Sequence, residues 1–189
     1  KSSGLLLSKF LLAHGQNLRD YSEYPSLVRG GHNTYQVSFS AKKILAPHFN
    51  VDIMFSLLTN HWKLHQKEIS KKTLVFADDG KLILPLKQIA SELGSHIYIN
   101  TICLGVLAYI LKLNLPVCNK ILSQQFSSDS PNHLAFKKGY GYAELNYKKH
   151  QINFLQLTPK SLTLKPNYLY DGNESFGWGF ISGGGNFYS

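Results

Sequence analysis

Hydrophobic positions along the chain change their spacing several times, and each change predicts an element. Residues 2–14 place Leu5, Leu6, Leu7, Phe10, Leu11 and Leu12 on most sides of a helix, which predicts burial on more than one face, with Gly15 as the C-terminal cap. Residues 17–22 read as a short strand. Residues 23–32 then collect Pro25, Gly30 and Gly31 and predict a loop. From 33 to 40 the pattern alternates, with Tyr35, Val37 and Phe39 on one face and Thr34, Gln36 and Ser38 on the other, so a half-buried strand is expected. Residues 51–58 form an apolar run around Asp52 and predict a strand buried on both faces, as in parallel sheets. A helix is expected over 59–69 with Thr59 as its N-cap.

A second group of elements follows. Residues 73–77 predict a short buried strand ended by the turn Asp78-Asp79-Gly80, and 82–84 another, stopped by Pro85. A helix over 86–93 ends at Gly94, and 96–99 read as a strand edge. Residues 102–113 predict an apolar helix, with Asn100-Thr101 either capping it or facing a cleft between domains. Pro116 and Pro131 stand in the first turns of two further helices, the second running to about Tyr147 with Ala135, Gly139 and Ala143 on one narrow face. Strands followed by helices predict an α/β layered domain whose last third is helical. Residues 148–170, with Pro159 and Pro166, lack a period and predict a linker arm, and 171–183 open a new helix followed by the start of a strand at 186–189.

Composition narrows the function classes. With 43% hydrophobic residues and no apolar run long enough to span a membrane, the chain reads as globular. The first residue is Lys1. Lys9 breaks the apolar stretch behind it and no cleavage site follows, so a chain trimmed at its N-terminus is expected rather than a signal peptide. The formal charge of +9 would attract an anionic partner, but the lysines are scattered as pairs at predicted element ends, so no nucleic-acid partner is expected. Cys103 and Cys118 stand alone and cannot hold an iron–sulfur cluster, and their sparseness fits a cytoplasmic setting. His61 and His65 have helical spacing but lack a third ligand, so a solvated face is expected and no metal site. Gly183-Gly184-Gly185 precedes a strand, so it is no dinucleotide loop. Ser26 with His32 lacks a nucleophile elbow.

The segment EYPSLVRGGHNTYQV, from Glu23 to Val37, resembles the gamma domain of the 2-oxoacid:ferredoxin oxidoreductases. In one branch that domain precedes the thiamine-dependent alpha domain and carries E-Y-P-S-x-x-R-G-G-H before an alternating strand. Further stretches agree in order: SSGLLLSKFLLAHG with the family's first helix, VDIMFSLL with its buried strand and NTICLGVLAYILKL with its N-T-x-x-x-G-A helix. DGNESFGWGFISGGGNFYS resembles the start of the pyrimidine domain, with Ser175 where the family usually has Ala. The resemblance implies a Rossmann-like gamma domain over 1–147, a linker arm over 148–170 and the start of an alpha domain over 171–189. It also implies that a first strand with its Gly-rich loop precedes Lys1, and that the carboxylate activating thiamine lies beyond Ser189 rather than at Glu174.

What the resemblance implies about function follows. The complete enzyme would oxidatively decarboxylate a 2-oxoacid with coenzyme A to acyl-CoA, carbon dioxide and reduced ferredoxin, with 2-oxoglutarate or a branched-chain acid favoured. Thiamine diphosphate, Mg2+ and iron–sulfur clusters would lie mostly on other domains or on a thiamine-diphosphate-binding beta subunit. This segment would carry no catalytic residue and no turnover of its own. Tyr24, Ser26, Arg29, Gly30, Gly31, His32, Asn100 and Thr101 are its candidate binding residues. Arg29 offers a planar charged fork and the glycines allow close approach. Two readings stay open: Arg29 contacts an anionic cofactor group or partner domain, or it pairs locally with Glu23 or Asp20 and the glycines only shape a turn. Two rival functions are a structural domain of the same complex and a stand-alone nucleotide-binding module.

Overall fold

The computed structural model describes residues 2–23, 33–46, 48–150, 169–170 and 172–185. Helix α1 (Ser2–Ala13) buries Leu6, Phe10 and Leu11 almost completely, and Gly15 ends it with a φ of 74° that other residues adopt only under strain. At its last turn the His14 ring donates from Nδ1 to the Phe10 carbonyl at 2.6 Å, and its Nε2 accepts the Asn114 amide at 2.8 Å. This ties the end of α1 to the start of a later helix.

Strands β1 (Asn17–Glu23) and β2 (Thr34–Ser40) form an antiparallel ribbon, in register from Asn17 opposite Ser40 to Glu23 opposite Thr34. β2 forms as predicted, but all seven of its residues are partly buried, so its two faces do not divide into a buried and an exposed set as the alternation predicted.

A separate parallel sheet has the order β3 (Val51–Phe55), β4 (Ile69–Ala77), β5 (Leu82–Ile83). β3 is shorter than the apolar run, and none of its residues is fully buried, with Asp52 exposed. The reason is its place at the sheet edge. The central strand β4 takes the burial instead, with Val75, Phe76 and Ala77 sealed from solvent.

Two predicted elements are overturned. No helix spans 59–69; the chain makes a 3-10 turn over His61–His65, preceded by Asn60 in the left-handed region at φ 64°. The Asp79 carboxylate accepts the Asn60 amide at 3.0 Å and fixes that bend. An α-helix there would have had little to bury, since Leu64 is exposed. Nor are 96–99 a strand edge. The Ser95 hydroxyl accepts from the Ile97 amide, starting a 3-10 turn His96–Tyr98 that runs straight into α3 (Ile99–Ile110). Helix and strand therefore do not alternate regularly: β3 reaches β4 through a 3-10 turn, and β4 reaches β5 through the tight turn at 78–81.

Between sheet and helices, α2 (Leu86–Ser91) starts where the Asp78 carboxylate accepts the Leu86 amide at 3.0 Å. Asn114 and Ser130 accept amides from their own first turns and begin α4 (Leu115–Gln125) and α5 (Pro131–Asn146). Helix α3 is buried from Thr101 to Ile110. On one side it packs with α2, α5 and the sheet around Phe76, Leu84 and Ile102; on the other it packs with α1 and α4 around Phe10, Leu107 and Leu122.

The narrow face read on α5 is the contact with α3. A Cβ on Gly139 would come within 2.1 Å of the Ile102 carbonyl oxygen, and one on Gly105 within 2.1 Å of the Phe136 oxygen. Helix α6 (Gly172–Ser182) has no buried residue, and Phe176, Trp178 and Ile181 are exposed on it. Most of the expected arm and the expected strand at 186–189 lie outside the described residues. The architecture is mixed α/β, with helices packed on a short parallel sheet.

Candidate functional site

Three helices begin at one place. Ser3 in the first turn of α1, Asn100 and Thr101 in the first turn of α3, and Asn132 in the first turn of α5 line a cavity of about 160 Å³. Leu6, Ile97 and Phe126 complete its wall. The Ile99 amide is paired with the His96 carbonyl, and the Asn132 and His133 amides with the Ser130 hydroxyl and carbonyl, so what the helix starts add here is the positive end of their aligned peptide dipoles. None of the three first turns carries an acidic side chain to offset that potential. The volume matches a phosphate, carboxylate or sulfonate group with part of its attached chain. It is well below the several hundred Å³ that a whole cofactor fills.

The polar lining is held in place. The Thr101 hydroxyl donates to Asn132 Oδ1 at 2.7 Å, joining α3 to α5 in the cavity wall. The Asn132 side chain donates in turn to Ser130 Oγ at 3.1 Å. Thr101 is almost fully buried, whereas Asn100 is exposed. The nearest carboxylate in sequence to the start of α5 is Asp129, whose pKa is lowered, mainly by the Ser127 hydroxyl.

Of the eight candidate residues, Tyr24, Ser26, Arg29, Gly30, Gly31 and His32 lie outside the described residues. Asn100 and Thr101 come together at the cavity. They do not cap α3, whose N-cap is Tyr98; they are its first turn, because the 3-10 turn at His96–Tyr98 starts the helix earlier than the apolar run suggested. Sequence reasoning missed Ser3, Ile97, Phe126 and Asn132. A usable signal was present: small polar residues open each of three helices, as Ser2-Ser3, Asn100-Thr101 and Ser130-Pro131-Asn132, with no carboxylate in the turn that follows.

The other reactive groups are engaged elsewhere. Cys103 packs in the sheet-side core and Cys118 in the α1-side core. Burial raises both thiols, Cys118 to about 12. His65 pairs with Glu68 at 2.6 Å. Among the described residues no group of three His, Cys, Asp or Glu side chains is gathered that could hold a metal ion, and no helix is long and apolar enough to cross a membrane.

Comparison with known proteins agrees with this architecture. A chain of the 2-oxoglutarate:ferredoxin oxidoreductase from Magnetococcus marinus, solved with 2-oxoglutarate, coenzyme A and succinyl-CoA bound, superposes with a TM-score of 0.69 at 21% identity. The match covers 76% of this chain and 28% of that one, so this chain spans under a third of that relative. The gamma subunit of the keto/oxoacid ferredoxin oxidoreductase from Geobacter sulfurreducens PCA superposes with a TM-score of 0.60 at 14% identity, covering 76% of this chain and 90% of that one. No curated protein matches the sequence. The sequence pattern of the family described as pyruvate ferredoxin/flavodoxin oxidoreductase matches residues 1–142. With three quarters of its length inside that match, the chain belongs to the pyruvate ferredoxin/flavodoxin oxidoreductase family.

Proposed function

We propose that this chain serves as the gamma-domain part of a 2-oxoacid:ferredoxin oxidoreductase and binds an anionic end of coenzyme A at the junction of α1, α3 and α5. The complete enzyme would convert a 2-oxoacid, coenzyme A and two oxidised ferredoxins into acyl-CoA, carbon dioxide, a proton and two reduced ferredoxins. Family membership supports the reaction class. The Magnetococcus relative, solved with 2-oxoglutarate bound, favours 2-oxoglutarate as the 2-oxoacid.

The observation that carries the reading is the convergence of three helix N-termini, free of acidic side chains, on one small cavity. The side chains of Ser3, Asn100 and Asn132 line it and offer donors to a phosphate, with Asn132 already held in place by Thr101 and Ser130. In this reading Arg29, with Tyr24, Ser26, Gly30, Gly31 and His32 on the connection between β1 and β2, supplies further contacts to coenzyme A or to the partner domain. The helix at 172–182 opens the alpha domain.

Thiamine diphosphate with Mg2+, and iron–sulfur clusters, supply decarboxylation and electron transfer from other domains and subunits. Among the described residues no ligand set for an iron–sulfur cluster or a metal ion is gathered, since the two cysteines are packed in separate cores. The chain's basic surface suits an acidic electron carrier such as ferredoxin, in the cytoplasm.

The test is hydrogen exchange on the complete enzyme with and without coenzyme A. Amides at 99–102 and those of Asn132 and His133 are expected to exchange at least several-fold more slowly when coenzyme A is present. Unchanged exchange there, in enzyme that turns over 2-oxoacid with coenzyme A, would sink the binding assignment.

A further inference from the structure

Gly4 is an unexpected residue in the first turn of a helix. Glycine inside a helix is less favourable than alanine by about 1 kcal/mol. Its neighbour explains it: a Cβ at Gly4 would lie 2.1 Å from Cε1 and 2.2 Å from Cδ1 of the Tyr35 ring. The ring therefore rests directly on the backbone of α1, in a notch that only glycine leaves open.

Tyr35 is on β2 opposite Ser22, one pair before the end of the ribbon at Glu23 and Thr34. Its hydroxyl donates to the Asp20 carboxylate, the diagonal neighbour on β1. One aromatic side chain thus touches both strands of the ribbon and the first turn of α1. Ser3, the residue adjoining the notch, lines the cavity. Helix α1 is fixed at its far end by His14 and Asn114, while at the end facing the cavity Tyr35 packs on the first turn and Leu6 is buried in the core one turn later.

We propose that Tyr35 is a positioning residue for the anion cavity: seated in the Gly4 notch, it holds the first turn of α1 at the spacing at which Ser3, Thr101 and Asn132 enclose one anionic group. The inference rests on the reading of that cavity as a coenzyme A contact. Tyr35 does not touch the anion. It fixes the wall that does, and it couples that wall to the end of the ribbon.

The experiment is steady-state kinetics on the complete enzyme with coenzyme A as the varied substrate. Tyr35→Ala is expected to raise KM for coenzyme A about tenfold, with kcat and KM for the 2-oxoacid within twofold of the parent. Tyr35→Phe keeps the ring and is expected to stay within threefold for every parameter. Gly4→Ala is expected to reproduce Tyr35→Ala, and the double variant to be no worse than either single, because both act through one contact. Tyr35→Leu covers the case in which Tyr35→Ala fails to assemble, and its KM for coenzyme A is again expected to rise. Unchanged KM in the Tyr35 and Gly4 variants, or fully additive effects in the double, overturns the positioning role. Asn100→Asp separates the two levels. A raised KM in Asn100→Asp beside silent Tyr35 variants refutes this inference alone. Silence in both refutes the cavity reading and this inference with it.

Discussion

The α3–α5 crossing and the β1–β2 ribbon each join two elements that cover the start of α1 or the cavity beside it, yet they are held in opposite ways. The helices meet backbone to backbone, with Gly105 and Gly139 each facing the other helix's carbonyl, and ten consecutive residues of α3 are buried. The ribbon has no fully buried residue in either strand, and one of its faces is open enough to leave Tyr21 57% exposed. Its contact with the body runs through Tyr35 over Gly4 and through the half-buried Leu18, Val37 and Phe39, which pack against the core around Phe10. The contrast separates two tasks. The crossing is a rigid frame that fixes where α3 and α5 begin. The ribbon is carried by that frame through partly buried side chains on one face.

The sharpest way to break the contrast is at two glycines of one helix. Gly139→Ala should destabilise the fold by about 2–3 kcal/mol, because its Cβ meets a carbonyl oxygen that neither helix can withdraw. Gly141→Ala, two residues along α5 with open space around it, should stabilise by up to about 1 kcal/mol through helix propensity. Denaturant melts of both variants check the opposite signs. Equal effects would remove the crossing from its special place.

Thr101→Val is the next largest. It deletes the hydroxyl that joins α3 to Asn132 and leaves Asn132 Oδ1 without that donor, for about 1–2 kcal/mol in the same melts. The two buried thiols sharpen the account of the frame through pH. Both are raised by burial, Cys118 to about 12, so the folded state binds the thiol proton more tightly than the unfolded chain does. The stability this contributes is complete below the ordinary thiol value of about 9 and is lost as pH rises from there towards 12. Melting temperature should therefore fall above pH 9. At pH 8 neither cysteine should react with iodoacetamide until the protein unfolds. The smallest effect belongs to the ribbon: Tyr21→Ser should change stability by less than about 0.5 kcal/mol, and amides of β1 should exchange well before those of α3.

Most of the frame was legible in the sequence, because its signals are local. Pro116 and Pro131 mark helix starts, Gly15 and Gly94 mark ends with positive φ, and Ala135, Gly139 and Ala143 trace the face that α3 covers. The misread elements have two causes, partners distant in the chain and a local cap that the pattern did not single out. Asp79 bends the chain at Asn60 from 19 positions away, so an apparent helix over 59–69 becomes a 3-10 turn. Ser95 winds the chain early, so Asn100 and Thr101 pass from a cap into a first turn. β3 looked buried because its composition matches a central strand, but the sheet order puts it at an edge. The candidate cavity was half legible. Asn100 and Thr101 were singled out, whereas Ser3 and Asn132 became visible only when three helix starts, far apart in the chain, were brought to one point.

Asn100→Asp tests the central claim most directly. Asn100 is exposed in the first turn of α3, where a carboxylate complements the helix dipole. The substitution should therefore leave the fold as stable as before or slightly more so. In the complete enzyme it should raise KM for coenzyme A at least tenfold, because a fixed negative charge then shares the cavity with an anion. A stable variant whose KM for coenzyme A equals that of the parent would contradict the account.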